Sequence, residues 1–190
     1  MILEIVKYGN PVLRQKGAKI EAITAEIKKL IASMFETMEA NHGVGLAAQQ
    51  IGRALQLTVV DVRGVHKDRP STLELDGAPA DVLEFMPLVL INPVVRPVAE
   101  PASGSEGCLS FPEIFGEISR PESVEVTAMN EKGKTISFRC GGLLARAVQH
   151  ETDHLNGILF IDRMEKTVKA EIQSELDELQ AKTKAELKKK

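Results

Sequence analysis

Seven residues constrain this chain more than any other stretch: Gln149-His150-Glu151-Thr152-Asp153-His154-Leu155. Their His-Glu-x-x-His core sets two imidazoles four residues apart. On an α-helix those positions stand one above the other on a single face. Rings held that way fit adjacent vertices of a metal tetrahedron, at about 2.0–2.1 Å from the ion. Glu151 falls between them, placed to reach a metal-bound water rather than to ligate. The competing reading is a solvated helix that carries two histidines by chance. With only 4 His in 190 residues, a pair in register beside a glutamate favours the metal site.

A helix of that kind must be buried, and the chain has the means to bury it. At 190 residues and 43% hydrophobic, one compact domain over residues 1–190 with a sizeable core is expected. A formal net charge of −3, no Trp and one Tyr argue against a nucleic-acid surface. The opening Met1-Ile2-Leu3-Glu4-Ile5-Val6 lacks the marks of a secretory or organellar leader. No segment reaches the ~20 apolar residues of a membrane span. Cytoplasmic location is the resulting expectation, with Cys108 and Cys140 reduced and available for metal or packing.

Hydrophobic periodicity then lays out the elements. Thr24 is an N-cap candidate for a helix whose Ile27, Leu30, Ile31, Met34, Phe35 and Met38 share one face. Asn41-His42-Gly43 ends it, with His42 a cap or a solvated residue. Leu57 to Val62 and Leu88 to Ile91 read as strands, and Gly64 to Pro87 as a long surface loop. Arg96 to Ser105 has loop chemistry, and Phe111-Pro112 is expected to end any strand there. Ser123 to Asn130 and Thr135 to Phe138 form a hairpin about Asn130-Glu131-Lys132-Gly133. Gly141-Gly142 leads into the His150 helix, which Asn156-Gly157 stops. Residues 166–190 read as a charged amphipathic helix with Val168, Ile172, Leu176 and Leu179 on one side and a frayed basic end. The fold class predicted is α+β: antiparallel strands packed around a central metal-binding helix, with a C-terminal helix.

Two histidines need a third protein ligand. Nearby carboxylates qualify, and so does Cys108, whose thiolate donates strongly and whose neighbour Gly107 permits a tight turn. The bland alternative for Cys108 is a small buried hydrophobe, and the residues alone leave both open.

Three stretches taken together narrow the choice. Gly43-Val44-Gly45-Leu46-Ala47-Ala48-Gln49-Gln50, Glu106-Gly107-Cys108-Leu109-Ser110 and Gln149 to Leu155 resemble, in order, the three signature motifs of the peptide deformylase family. The likeness extends to Asn10-Pro11-Val12-Leu13-Arg14 and Leu90-Ile91-Asn92-Pro93, and is weakest in 64–87 and the last helix. The resemblance implies hydrolytic removal of the formyl group from N-terminal formyl-methionine of new proteins, with release of formate. It implies Cys108, His150 and His154 as metal ligands and Glu151 as the general base and acid for attack by metal-bound hydroxide. It also implies that Gln50 and the N–H of Leu109 face the formyl oxygen. A peptide bound as an added strand would meet Val44, Gly45 and Gly107. Val44, Leu143 and Ala147 would line the methionine pocket. Arg146 stands where relatives often have an aliphatic residue, and its stem is expected to cover apolar surface with the charge outside.

The same resemblance implies Fe²⁺ in the cell, with Zn²⁺, Ni²⁺ or Co²⁺ as replacements; ligand type alone would read as zinc. The expected partners are formyl-Met nascent chains, with the ribosome met through the C-terminal helix, and the expected state is a monomer. Because the tail holds no motif, its removal from about Thr167 is expected to spare turnover of short peptides. Two rival readings exist: a peptidase cutting internal bonds, and a binding protein with a structural metal. The second would need a fourth protein ligand, and Cys140 lies outside the motifs.

Overall fold

The computed structural model describes residues 1–190. Helix α1 runs Ala25–Ala40, and the Thr24 side chain accepts a hydrogen bond from the Ile27 N–H at its start. Leu30, Ile31, Met34 and Met38 form its buried face, the periodic set expected of an amphipathic helix. His42 follows at φ +56°, exposed, beyond the helix end.

Two antiparallel sheets account for the strands. In chain order these are β1 (Gly45–Ala47), β2 (Leu57–Val60), β3 (Ser71–Leu75), β4 (Ala78–Pro79), β5 (Leu88–Pro97), β6 (Pro101–Cys108), β7 (Phe111–Pro121), β8 (Ser123–Met129) and β9 (Thr135–Gly142). Seven of them form one sheet in the order β1-β2-β5-β8-β9-β3-β4, and β6 with β7 forms a separate ribbon. Both β1 and β6 therefore keep one unpaired edge. Helix α3 (Leu143–Leu155) packs on the large sheet, where Leu144 and Val148 meet Leu90, Val124 and Phe138. Helix α1 covers the β1-β2-β5 end through Met34, Leu57 and Ile91. No helix is long and apolar enough to cross a membrane. The α+β architecture, antiparallel strands about a central helix, is as the sequence predicts.

Three stretches differ from expectation. Residues 64–87 are not a loop: they hold β3, β4 and the short helix α2 (Val82–Phe85). Asp76 and Gly77, both at positive φ, turn β3 into β4, an Asp-Gly hairpin signal hidden by the shortness of its strands. Strand β3 pairs with β9, and Ser71 Oγ accepts the Leu144 N–H at 2.9 Å. Strand β3 thus caps the start of the metal-motif helix. Next, Phe111-Pro112 begins a strand instead of ending one, because a register shift between Gly107 and Cys108 absorbs Pro112, Glu113 and Ile114. That irregularity breaks the alternation by which strands are read. Finally, β5 continues to Pro97 and β6 starts at Pro101, so only a tight connection remains where Arg96 to Ser105 reads as loop.

Helix α4 (Lys166–Leu187) lies deeper in the core than its charged sequence suggests. Leu176 is 1% exposed and sits with Phe111, Ile118 and Phe160 in a third core cluster. Gly9 meets the same helix, for a Cβ there would stand 2.9 Å from the Gln180 carbonyl. The tail is thus a wall of the core behind β7. Leu176→Ala is expected to cost about 2–5 kcal/mol, measured as a lowered denaturation midpoint; a change under about 0.5 kcal/mol would show that the helix rides on the surface.

Candidate active site and metal centre

Helix α3 starts at Leu143, directly after Gly142, which adopts φ +67° at the close of β9. Its core-facing residues anchor it to the sheet, and the face carrying His150, Glu151 and His154 turns toward the ribbon. All three are buried. The ribbon brings Cys108 to that face: its Sγ lies 3.4 Å from His154 Nε2. The ligand atoms of Cys108, His150 and His154 all fall within 4.8 Å of one another. No fourth His, Cys, Asp or Glu joins the group. Cys140 is buried elsewhere, in the sheet core, where desolvation pushes its thiol up to about 12. The donor set fits a divalent metal with an open position, the arrangement of catalytic sites rather than closed structural ones.

Each donor has its own surroundings. His150 Nδ1 lies 2.8 Å from Glu106 Oε1, leaving Nε2 for a metal. Glu106 is also gripped by Arg120, with Nε at 2.6 Å and Nη2 at 3.0 Å, and by Arg146 Nη1 at 2.8 Å. Arg120 continues to Asp153, which Arg163 also holds. Burial alone would raise the Glu106 carboxyl, yet hydrogen bonds from His150 and Arg120 hold it well below the usual carboxylate range. Burial likewise opposes a charged His150, but Cys108 and Glu106 outweigh it and favour the imidazolium. His154 has no such anion at its Nδ1, and desolvation favours its neutral form.

Glu151 stands apart from this network. Burial raises its carboxyl to about 7, and its Oε2 is enclosed without a hydrogen-bond partner. Gly45 makes room for it: a Cβ there would lie 2.5 Å from Glu151 Oε1. Gln50, 1% exposed, is fixed the right way round by a nearby backbone group. The Ala47 N–H donates to its Oε1 at 2.9 Å, so Nε2 must face the other way, toward Cys108 Sγ at 3.4 Å and Ser110 Oγ at 3.3 Å. An N–H can only donate, which settles the amide orientation.

A cleft of about 480 Å³ opens onto this group. Val44, Gly45, Gln50, Gly107, Leu109, Leu143 and Ala147 line it, together with Cys108, His150 and Glu151. Every residue singled out from the sequence is at its wall or, like His154, just behind it. Arg146 departs from expectation. Its charge is inside, bonded to Glu106 and to the carbonyls of Ile118 at 3.0 Å and Ala102 at 2.9 Å, since those acceptors outcompete water. Sequence reasoning missed Glu106 as an orienting group, although it lies in a quoted motif two residues before Cys108. It missed Arg120, Arg163 and Phe115 as well. Arg120 and Arg163 become meaningful only once the ribbon folds over α3. Phe115 leans on Gly107, where a Cβ would stand 2.6 Å from its ring.

Comparison with known proteins agrees with this geometry. The sequence model of the polypeptide deformylase family matches residues 2–170, stopping just inside α4. A peptide deformylase of Opitutus terrae is 47% identical over 190 residues, covering 99% of this chain and 98% of the relative. Among solved structures, peptide deformylase 1B of Arabidopsis thaliana in complex with an inhibitor has a TM-score of 0.82 at 36% identity, over 97% of this chain and 93% of that one. The peptide deformylase of Thermus thermophilus has a TM-score of 0.80 at 34% identity, over 96% of this chain and 99% of that one. With the motifs in one cleft and the match running through nearly the whole fold, the chain belongs to the polypeptide deformylase family of metallohydrolases.

Proposed function

We propose that this enzyme hydrolyses the formyl amide at the N-terminus of newly made, formyl-methionine-initiated proteins in the cytoplasm, releasing formate and a free α-amine. Residues 1–190 act as one catalytic unit. The observation that carries the reading is the buried, unpartnered carboxylate of Glu151 beside three convergent ligand atoms, at a cleft between two open strand edges.

Cys108, His150 and His154 would hold the divalent metal. When bound, it supplies Lewis-acid chemistry, bringing the pKa of a water toward about 7 and polarising the formyl oxygen. Glu151, poised near neutrality, takes a proton from the water that attacks the formyl carbon. As the C–N bond breaks it returns that proton to the departing nitrogen, which cannot leave as an anion. The Gln50 amide and the Leu109 N–H donate to the developing oxyanion; one such preorganised donor is worth about 2.7–4 kcal/mol.

The substrate is held by its backbone. The free edges of β1 and β6 bring Gly43 to Gly45 and Ser105 to Gly107 to the same cleft, and an extended peptide laid between them adds a strand to each side. Leu143, Ala147 and Val44 offer apolar surface to the methionine side chain. Ferrous iron is the metal we assign in the cell, chosen by availability because Zn²⁺ binds such donors more tightly.

Three measurements test this. Glu151→Gln should keep its metal, by elemental analysis, and lose roughly 10²–10⁴-fold in formate release from a formyl-Met peptide; near wild-type turnover would overturn the role. Gly45→Ala should push the Glu151 carboxylate aside and lower kcat by roughly 10²-fold with metal content unchanged. Chelation should abolish formate release and Ni²⁺ should restore it, while an aerobic iron preparation decays as the Fe²⁺–thiolate unit at Cys108 oxidises. Oxygen-stable, full turnover with stoichiometric zinc would overturn the iron assignment alone.

A further inference from the structure

The pocket beside Leu143 and Ala147 does not end on an apolar floor. Arg69 and Arg146 line it, and both, with Leu143, also line a second cavity of about 250 Å³ that adjoins it. Ser103 and Gly104 form part of the far wall. Gly104 matters because a Cβ there would stand 2.9 Å from Arg146 Nη2 and 3.1 Å from Nε. A Cβ there would make the guanidinium shift from its present place.

This end of the pocket holds more donors than acceptors. A guanidinium has five N–H groups. Arg146 uses three, to Glu106, the Ile118 carbonyl and the Ala102 carbonyl, and its Nε bonds to nothing in the protein. Arg69 is exposed, and its one side-chain hydrogen bond is a long contact of 3.5 Å to the Ser105 carbonyl. Side chains with unused donors therefore line both adjoining cavities. A thioether is a weak acceptor and leaves them to water. Carboxylates already stand beside these donors, Glu106 and Glu113 in the first cavity and Glu122 in the second. A neutral acceptor thus suits the site better than an anion.

Methionine sulfoxide has the shape of methionine with one strongly polar oxygen on sulfur. We propose that this pocket also admits chains whose first residue is N-formyl-methionine sulfoxide, with N–H groups of Arg69 and Arg146 donating to the sulfoxide oxygen. The inference rests on the deformylase reaction proposed above. The chemistry is the same amide hydrolysis, and the sulfoxide passes through unchanged. A chain oxidised at its first residue would then still be deformylated.

The test compares kcat/KM of the metal-loaded enzyme on three otherwise identical peptides, beginning with formyl-Met, formyl-norleucine and formyl-methionine sulfoxide. Norleucine controls for size without a polar atom. Wild type should turn over the sulfoxide peptide within roughly tenfold of the methionine one. In Arg69→Leu, an exposed position that tolerates replacement, the sulfoxide-to-norleucine ratio should fall by roughly fivefold or more, the loss of one charge-assisted hydrogen bond. Arg69→Lys should retain part of that ratio. A sulfoxide peptide that is not processed by wild type, or a ratio unchanged in Arg69→Leu, would overturn the proposal. Failure on all three peptides would instead refute the deformylase reading itself.

Discussion

The contact on which most of the site depends is the one between Glu106 and His150. A single carboxylate, 5% exposed at its side chain, reaches an imidazole on α3, Arg120 on β7 and Arg146 one turn earlier on α3. It belongs to β6, so it ties the separate ribbon to the helix that the large sheet supports. Removing one partner from a buried charge pair typically costs about 3–5 kcal/mol, because the other charge is stranded. Here the stranded groups would be arginines beneath the metal donors. The network therefore does two jobs at once: it seats the ribbon, and it fixes which nitrogen of His150 faces a metal.

The same carboxylate explains why Glu151 can differ from it. Both acids line one cleft, but one is bonded to cations, whereas the other is buried against Gly45 with an oxygen that has no hydrogen-bond partner. Hydrogen bonds keep Glu106 ionised, whereas burial leaves Glu151 near its titration point. Such divergence between neighbouring carboxyl groups is what the proposed division of labour requires, an electrostatic task for one and proton handling for the other.

Much of this was legible in the residues alone. The His150–His154 spacing, the cap at Thr24, the Asn130–Gly133 turn and the face of α1 all follow from local rules, and the structure has them where those rules put them. What was not legible depends on tertiary partners. The β3-β4 hairpin is too short for its alternation to register, and it is held by pairing with β9. Strand β7 was hidden because an irregularity beside Cys108 breaks its period. The buried state of Arg146 cannot be read from an arginine in a helix, since it follows from two carbonyls on the ribbon strands and from Glu106. Leu176 was legible as part of the apolar face of the last helix, but not its depth, which comes from packing in one cluster with Phe111 and Phe160.

The two open strand edges carry a consequence for solubility. An unpaired edge is a template on which another copy of the chain can grow by strand addition, the route to aggregation. At the cleft, the β1 and β6 edges present only short stretches of backbone. Strand β1 is only three residues long. On β6, the Arg69 guanidinium makes a long 3.5 Å contact with the Ser105 carbonyl. The stretch of β6 that borders the cleft, Ser105 to Gly107, is short, enough for the first residues of a single extended chain but too little to seed a sheet.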